Sequence, residues 1–404
     1  MFGPYADVLR TPGARAFSVA GLIARVPMSM FGLGILLAVT ESGGTYTLGG
    51  LTAGIALAAQ AAAAPVQARI ADRLGQRRLL LPLLTAHAVG LASLIAVVGD
   101  AAAGDLPYAA LAASTILTGV TFPQIGALVR ARWASLYTAT PRIHTAYAWE
   151  SVLDEVVYIV GPTIVVLLST SVHPLAGLVA MLLLTLGGGY SFAALRMTEP
   201  PVQRLAAGTR RERLPKFTLG WLVVAFVFMG GIFGSAEVAT VAFTEELGAK
   251  AASGPALAVF AAGSLIAGLV AGAVRWKASL RRRFLVGQAA LAAAVLPLAL
   301  VGSIPLLLMA IFVAGFAIAP TLITGFSMVE AEVPARRLTE GLAWVSTALT
   351  VGVAAGAAVA GPVIDRVGAS EGYLVGFGCG VLATLACLVG VTVDRPARNI
   401  PEPV

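Results

Sequence analysis

Charge is scarce in this chain of 404 residues: only 12% of its side chains are charged, against the ~25% usual for a soluble globular protein. That is too little to wet a folded surface, and it excludes a soluble enzyme and a disordered tail. Cysteine is almost absent. Cys379 and Cys387 share one apolar stretch, where a helical rise of ~1.5 Å per residue holds them ~12 Å apart, too far to bridge. A disulfide scaffold is therefore excluded as well. Histidine is equally sparse: His87 has no acid or cysteine near it, and His144 and His173 fall near helix ends, so no metal site is expected. No Gly-x-x-x-x-Gly-Lys-Ser/Thr loop occurs, which argues against an integral ATPase.

What the chain has is apolar length. Apolar residues make up 58% of it, and the mean hydropathy is +0.89. A helix that spans a bilayer needs ~20 such residues. Twelve candidates appear, at about 17–40, 46–68, 79–98, 106–129, 143–169, 174–195, 217–245, 253–274, 284–302, 304–329, 339–364 and 371–392. Short connections such as Gly43-Gly44, Gly104-Asp105 and Ser303-Ile304-Pro305 carry turn chemistry. The first run is long enough to span, contains Arg25 and has no small-residue cleavage site after it, so it is expected to stay in the protein.

The basic residues give the orientation. With a cytoplasmic N-terminus, 24 of the 27 Lys and Arg fall in inner segments. Only Lys250 and Arg366 fall outside, and Arg25 lies within a span. Both termini are therefore expected in the cytoplasm of a multi-pass plasma-membrane protein. The net charge of +7 is a topology signal, and nucleic acid is not expected as a partner.

The longest inner connection, 196–216, divides the runs six and six. Across it Arg142, Ala148-Trp149, Ser151 and Gly161 recur as Arg337, Ala343-Trp344, Ser346 and Gly356, each 195 residues on. Gly119-x-x-x-Pro123 in the fourth run is echoed by Gly315-x-x-x-x-Pro320 in the tenth. The expected fold is thus all-α and integral to the membrane, with twelve transmembrane helices in two pseudo-symmetric bundles, 1–195 and 217–404, joined by a cytoplasmic linker at 196–216. Parallel repeats of this kind organise one large transporter class.

Between the second and third runs the chain reads Ala68-Arg69-Ile70-Ala71-Asp72-Arg73-Leu74-Gly75-Gln76-Arg77-Arg78. With the twelve spans, this resembles the Gly-x-x-x-Asp-Arg-x-Gly-x-Arg-Arg motif of the major facilitator superfamily, departing only at the first glycine. The second-half copy is degenerate, with Trp276 and Ser279 in place of Asp and Gly, while Lys277, Arg281 and Arg282 keep the basic positions. The resemblance implies a gating role for Asp72, Arg73, Gly75, Arg77 and Arg78, with Asp72 docking near the start of the eleventh helix. A carboxylate there gains ~0.3 to 1 kcal/mol from the helix dipole, and Arg130 or Arg132 is expected to hold it. Gly161-Pro162 matches a gating motif of proton-driven drug exporters, and Gly361-Pro362 repeats it. The arginine such exporters carry four residues before Gly119 is Thr115 here.

The chemistry must come from the few charges inside the spans, each costing ~2.5 to 3.5 kcal/mol at mid-helix on insertion scales. The fifth run carries Glu150, Asp154 and Glu155, and Tyr147, Ser151 and Tyr158 extend the polar stripe. Arg25 reaches a similar depth and is the expected charge partner. One arginine cannot neutralise three acids, so Asp154, Glu155 and Glu150 are candidate proton-coupling groups, set against a purely structural network. Glu237 is the fourth candidate, after the glycine-rich stretch Gly230–Gly234. The resemblance places the fourth and tenth helices around a substrate cavity, so Thr121, Phe122, Gln124, Phe316 and Thr324, with Tyr158, are expected to line it. The whole points to a secondary active transporter, not an enzyme, that moves a small amphiphilic organic molecule by alternating access, most simply as proton-coupled efflux. Its expected partners are the lipid bilayer, the solute and protons, with no cofactor beyond the proton gradient and a monomeric state. A proton-coupled metabolite importer is the first alternative, and a non-transporting receptor or scaffold on the same fold is the second.

Overall fold

The computed structural model describes residues 3–101, 107–137, 142–202, 216–273, 276–333 and 338–393. Among them the chain is helical throughout, with twelve helices long and apolar enough to cross a membrane. These are α1 (Ala14–Glu41), α2 (Tyr46–Leu74), α3 (Gln76–Asp100), α4 (Tyr108–Leu136), α5 (Thr145–Ser171), α6 (Ala176–Ala194), α7 (Phe217–Glu246), α8 (Lys250–Ala271), α9 (Leu280–Leu300), α10 (Ile304–Glu332), α11 (Gly341–Val367) and α12 (Ala369–Val393). The expected fold class is present. Of the expected linker only the two ends are described: Arg196–Thr198 forms one 3-10 turn, and residues 203–215 lie outside the described set.

Two helices are broken where the sequence repeats itself. In α4 the helix stops at Val120 and restarts at Ile125, because Pro123 has no N–H to continue the ladder. Irregular backbone at membrane depth survives only where protein satisfies it. Here the Gln67 amide of α2 does so, donating to the Val120 and Phe122 carbonyls at 2.9 and 3.1 Å. In α10 the break falls between Gly315 and Ile318, just before Pro320.

The halves meet along two seams, α2 with α11 and α5 with α8. Small residues allow the first: a Cβ on Gly50 or Gly54 would lie 2.6 or 2.9 Å from the Ala357 or Ala354 carbonyl oxygen. At the second, a Cβ on Gly254 would lie 3.1 Å from the Pro162 carbonyl oxygen. All these contacts lie towards the face remote from the termini. There the apolar core is continuous, joining residues of α1, α2 and α5 to residues of α7, α8 and α11. At the face carrying the termini it divides into two cores, one confined to the first half and one to the second. The molecule is sealed at the remote face and parted at the terminal face.

Candidate functional site

Arg25 stands on α1 with 1% of its surface exposed, and its guanidinium is fully engaged. Its Nε–H donates to the Gly21 carbonyl at 3.1 Å, Nη1 donates to Asp154 Oδ1 at 2.7 Å, and Nη2 pairs with Glu150 Oε2. Glu150 also accepts from Trp133 Nε1 at 2.7 Å and from the Ser18 hydroxyl at 3.2 Å. The second Asp154 oxygen is paired with Arg130 of α4. Two arginines thus face two carboxylates, and the cluster ties α1, α4 and α5 of the first half together. The expectation that Arg130 or Arg132 holds Asp72 is corrected by this geometry. Arg130 is committed to Asp154. Arg132 is buried and donates to the Phe192 and Leu195 carbonyls, the Thr198 hydroxyl and the Gln76 side chain at 2.8 to 3.1 Å.

The two remaining acids have neither a hydrogen bond nor an ion pair among the described residues. Glu155 follows Asp154 on α5 and is partly exposed. Glu237 comes from α7 in the second half, and its carboxylate lies 4.0 Å from the position a Cβ would take on Gly32 of α1. Between them is Tyr158, within electrostatic reach of Asp154, Glu155 and Glu237. Tyr158 keeps 47% of its surface exposed. The acids come from both halves, and Tyr158 is within electrostatic reach of acids from each.

The other residues expected at the cavity are distributed differently. Phe316 is 40% exposed and packs edge-on against Phe312, and Gln124 is partly buried at the α4 break. Thr121, Phe122 and Thr324 are buried. Phe122 packs between Phe31 and His87, and the two threonine hydroxyls donate to carbonyls of their own helices. In this conformation those three contribute to packing and do not reach an open surface. His87 is buried too, its Nδ1 at 3.2 Å from the Thr118 carbonyl oxygen.

The gating motif sits at the parted face. Asp72, Arg73 and Arg78 are exposed, and Asp72 has no partner among the described residues. Gly75 turns the chain at φ 91°, and the Arg77 backbone N–H is capped by Glu199 at 2.9 Å. Both Gly-Pro pairs reach the sealed seams: the Pro162 carbonyl meets Gly254 of α8, while Gly161 itself packs on Ser29 of α1 within the first half, and Gly361 faces the Tyr46 carbonyl of α2.

At the sealed face a polar network absent from the sequence reading joins the halves. Lys250 bridges Glu41 of α1 and Glu245 of α7. The Tyr46 hydroxyl donates to Glu245, and Asp365 of α11 accepts from the start of α2. Only its Asp365 carries a mark in the sequence, since Asp365-Arg366-Val367-Gly368 repeats Asp72-Arg73-Leu74-Gly75.

Solved structures share this fold at low identity. A bacterial homologue of the iron transporter ferroportin, in an inward-facing state, superposes with a TM-score of 0.71 at 14% identity, covering 94% of this chain and 98% of its own. An auto-inhibited POT family peptide transporter gives 0.70 at 13% identity, covering 96% and 99%. The nucleoside transporter NupG, solved as a point mutant, gives 0.68 at 14% identity, covering 93% and 99%. No curated protein sequence matches the chain. The sequence profile described as Major Facilitator Superfamily matches residues 17–356 and 222–403. With this family match and twelve spans, the chain is a multi-pass membrane protein belonging to the major facilitator superfamily of transporters.

Proposed function

We propose that this transporter exports a small amphiphilic organic solute in exchange for protons, by alternating access. It works as a monomer in the plasma membrane, with both termini cytoplasmic and the proton gradient as its sole energy source. On that topology the conformation described above is open to the cytoplasm. One observation supports the coupling: among the described residues Glu155 and Glu237 have no cation partner, whereas Glu150 and Asp154 are matched by Arg25 and Arg130. Protonating Glu150 or Asp154 would leave the two arginines facing a single carboxylate, with an uncompensated positive charge beside the buried Arg25. Protonating Glu155 or Glu237 strands nothing. The proton is therefore assigned to that pair, and the arginine cluster is assigned to holding the first half together. Tyr158 offers a mixed aromatic and hydroxyl surface beside the acids, which suits a solute with both apolar and polar parts.

The test is flux in proteoliposomes carrying Glu155→Gln, Glu237→Gln and the double variant. A neutral side chain imitates the protonated state, so solute exchange at equal pH should persist while pH-driven accumulation is lost in at least one single variant. Unchanged accumulation in all three would remove the coupling from these residues.

A further inference from the structure

A helix starts with N–H groups that have no carbonyl to bond. In α2 the Thr45 hydroxyl takes one, accepting from the Leu48 N–H at 3.1 Å. The other half of the molecule takes two more: the Asp365 carboxylate accepts from the Tyr46 and Thr47 N–H groups at 3.0 and 2.6 Å and also from the Thr47 hydroxyl. A negative group at a helix N-terminus is further favoured by the dipole. One turn earlier on α11, Gly361 lets the helix run against the Tyr46 carbonyl, where any side chain would collide.

The turn that carries Asp365 is built like the one that carries Asp72. Asp365-Arg366-Val367-Gly368 ends α11, and Asp72-Arg73-Leu74-Gly75 ends α2. Gly368 and Gly75 both have positive φ, 131° and 91°, a conformation that costs glycine little. Each is followed at once by the next span, whose opening N–H is capped by a glutamate from another helix end. The Ala369 N–H donates to Glu246 at 2.8 Å, and the Arg77 N–H donates to Glu199 at 2.9 Å. Because α2 and α11 run in opposite directions, one turn lies at each face. Here Asp365 is engaged and Asp72 is exposed.

We propose that Asp365 is the latch of the sealed face, a gating residue matching Asp72 at the opposite face, and that the two are engaged in alternation. When the terminal face closes, Asp72 engages the first turn of α11 and Asp365 releases the first turn of α2. Each latch stabilises one state only, so each sets the balance between the two. This rests on alternating access, so the test reads conformation separately from flux.

Spin-label distances are measured on the full chain in lipid nanodiscs, with Cys379→Ala and Cys387→Ala as background. Val172→Cys with Leu300→Cys reports the sealed face, and Met197→Cys with Phe217→Cys reports the terminal face. Asp365→Asn keeps an acceptor but loses the charge, and charge-assisted hydrogen bonds are about twice as strong as neutral ones. The expected result is about a fivefold shift of the population ratio: longer distances at the sealed face and shorter ones at the terminal face. Asp72→Asn should shift both pairs the other way, and Asp365→Glu should restore part of the original balance. Both distance distributions unchanged in Asp365→Asn, whether or not its melting temperature falls, would overturn the latch. If the two faces shift as expected but no solute exchange is found, the latch stands and the transport reading fails.

Discussion

At the scale of single residues, Arg25 and Arg130 decide which carboxylates are free to change charge. Arg25 holds two acids, so Arg25→Gln leaves Glu150 and part of Asp154 unpaired in the interior, and a fall of about 3 to 5 kcal/mol in stability is expected. Thermal melting of the purified protein checks this. Adding Glu150→Gln to Arg25→Gln should recover most of the loss, since Asp154 then keeps Arg130 and the fully buried carboxylate is gone. The Arg25 contact was legible in the sequence, because residue counting puts Arg25 and Glu150 at similar depth. The commitment of Arg130 was not. Its position beside an inner connection reads as a topology charge, and only the break at Thr121–Gln124 turns the Ile125–Leu136 segment so that Arg130 meets Asp154. Thr121, Phe122 and Thr324 were misplaced towards open surface for a related reason: a helix's neighbourhood can be inferred from a family, but which face is open depends on the conformation.

At the scale of elements, the twelve spans follow from apolar length, visible in one dimension, whereas the two breaks fall beside prolines that the sequence does not distinguish from Pro27, Pro65, Pro82, Pro162 and Pro362, which lie inside continuous helices. The partner that makes the α4 break tolerable is not visible. Gln67 lies one helix away, and nothing local distinguishes it from any other polar residue near a helix end. Its amide serves two carbonyls that otherwise face an apolar interior, and an unsatisfied buried group costs about 1 to 3 kcal/mol. Gln67→Met, which keeps the volume, is therefore expected to destabilise the protein by about 2 kcal/mol, measured as a lower melting temperature. No effect would mean that the two carbonyls find water. The sealed-face turn was readable in principle, since its four residues repeat the gating motif. A parallel six-plus-six repeat predicts it after the eighth span, where Trp276 and Ser279 stand in place of Asp and Gly. It occurs instead at the end of α11, the helix that meets α2 in the opposite direction.

At the scale of the whole molecule, the division of the core fixes the conformation, and the charge asymmetry is the ground for the proposed compartment it faces. One apolar core holds the halves together at the remote face and two separate cores lie at the terminal face, so the open end is the end that bears the termini. Lys and Arg resist translocation, and 24 of 27 gather on the side of the termini. Two single-cysteine variants test the assignment in intact cells with an impermeant maleimide, in the background free of Cys379 and Cys387. Gly208→Cys, in the connection between the halves, should label only after the membrane is permeabilised. Gly302→Cys, where an added Cβ meets nothing within 4 Å, should label from outside at once. Labelling of Gly208→Cys from outside, with protection of Gly302→Cys, would invert the topology and turn the same open face outward. Asp365 would then latch the cytoplasmic face and Asp72 the outer one, so the labelling also settles which latch meets the compartment from which the solute is taken.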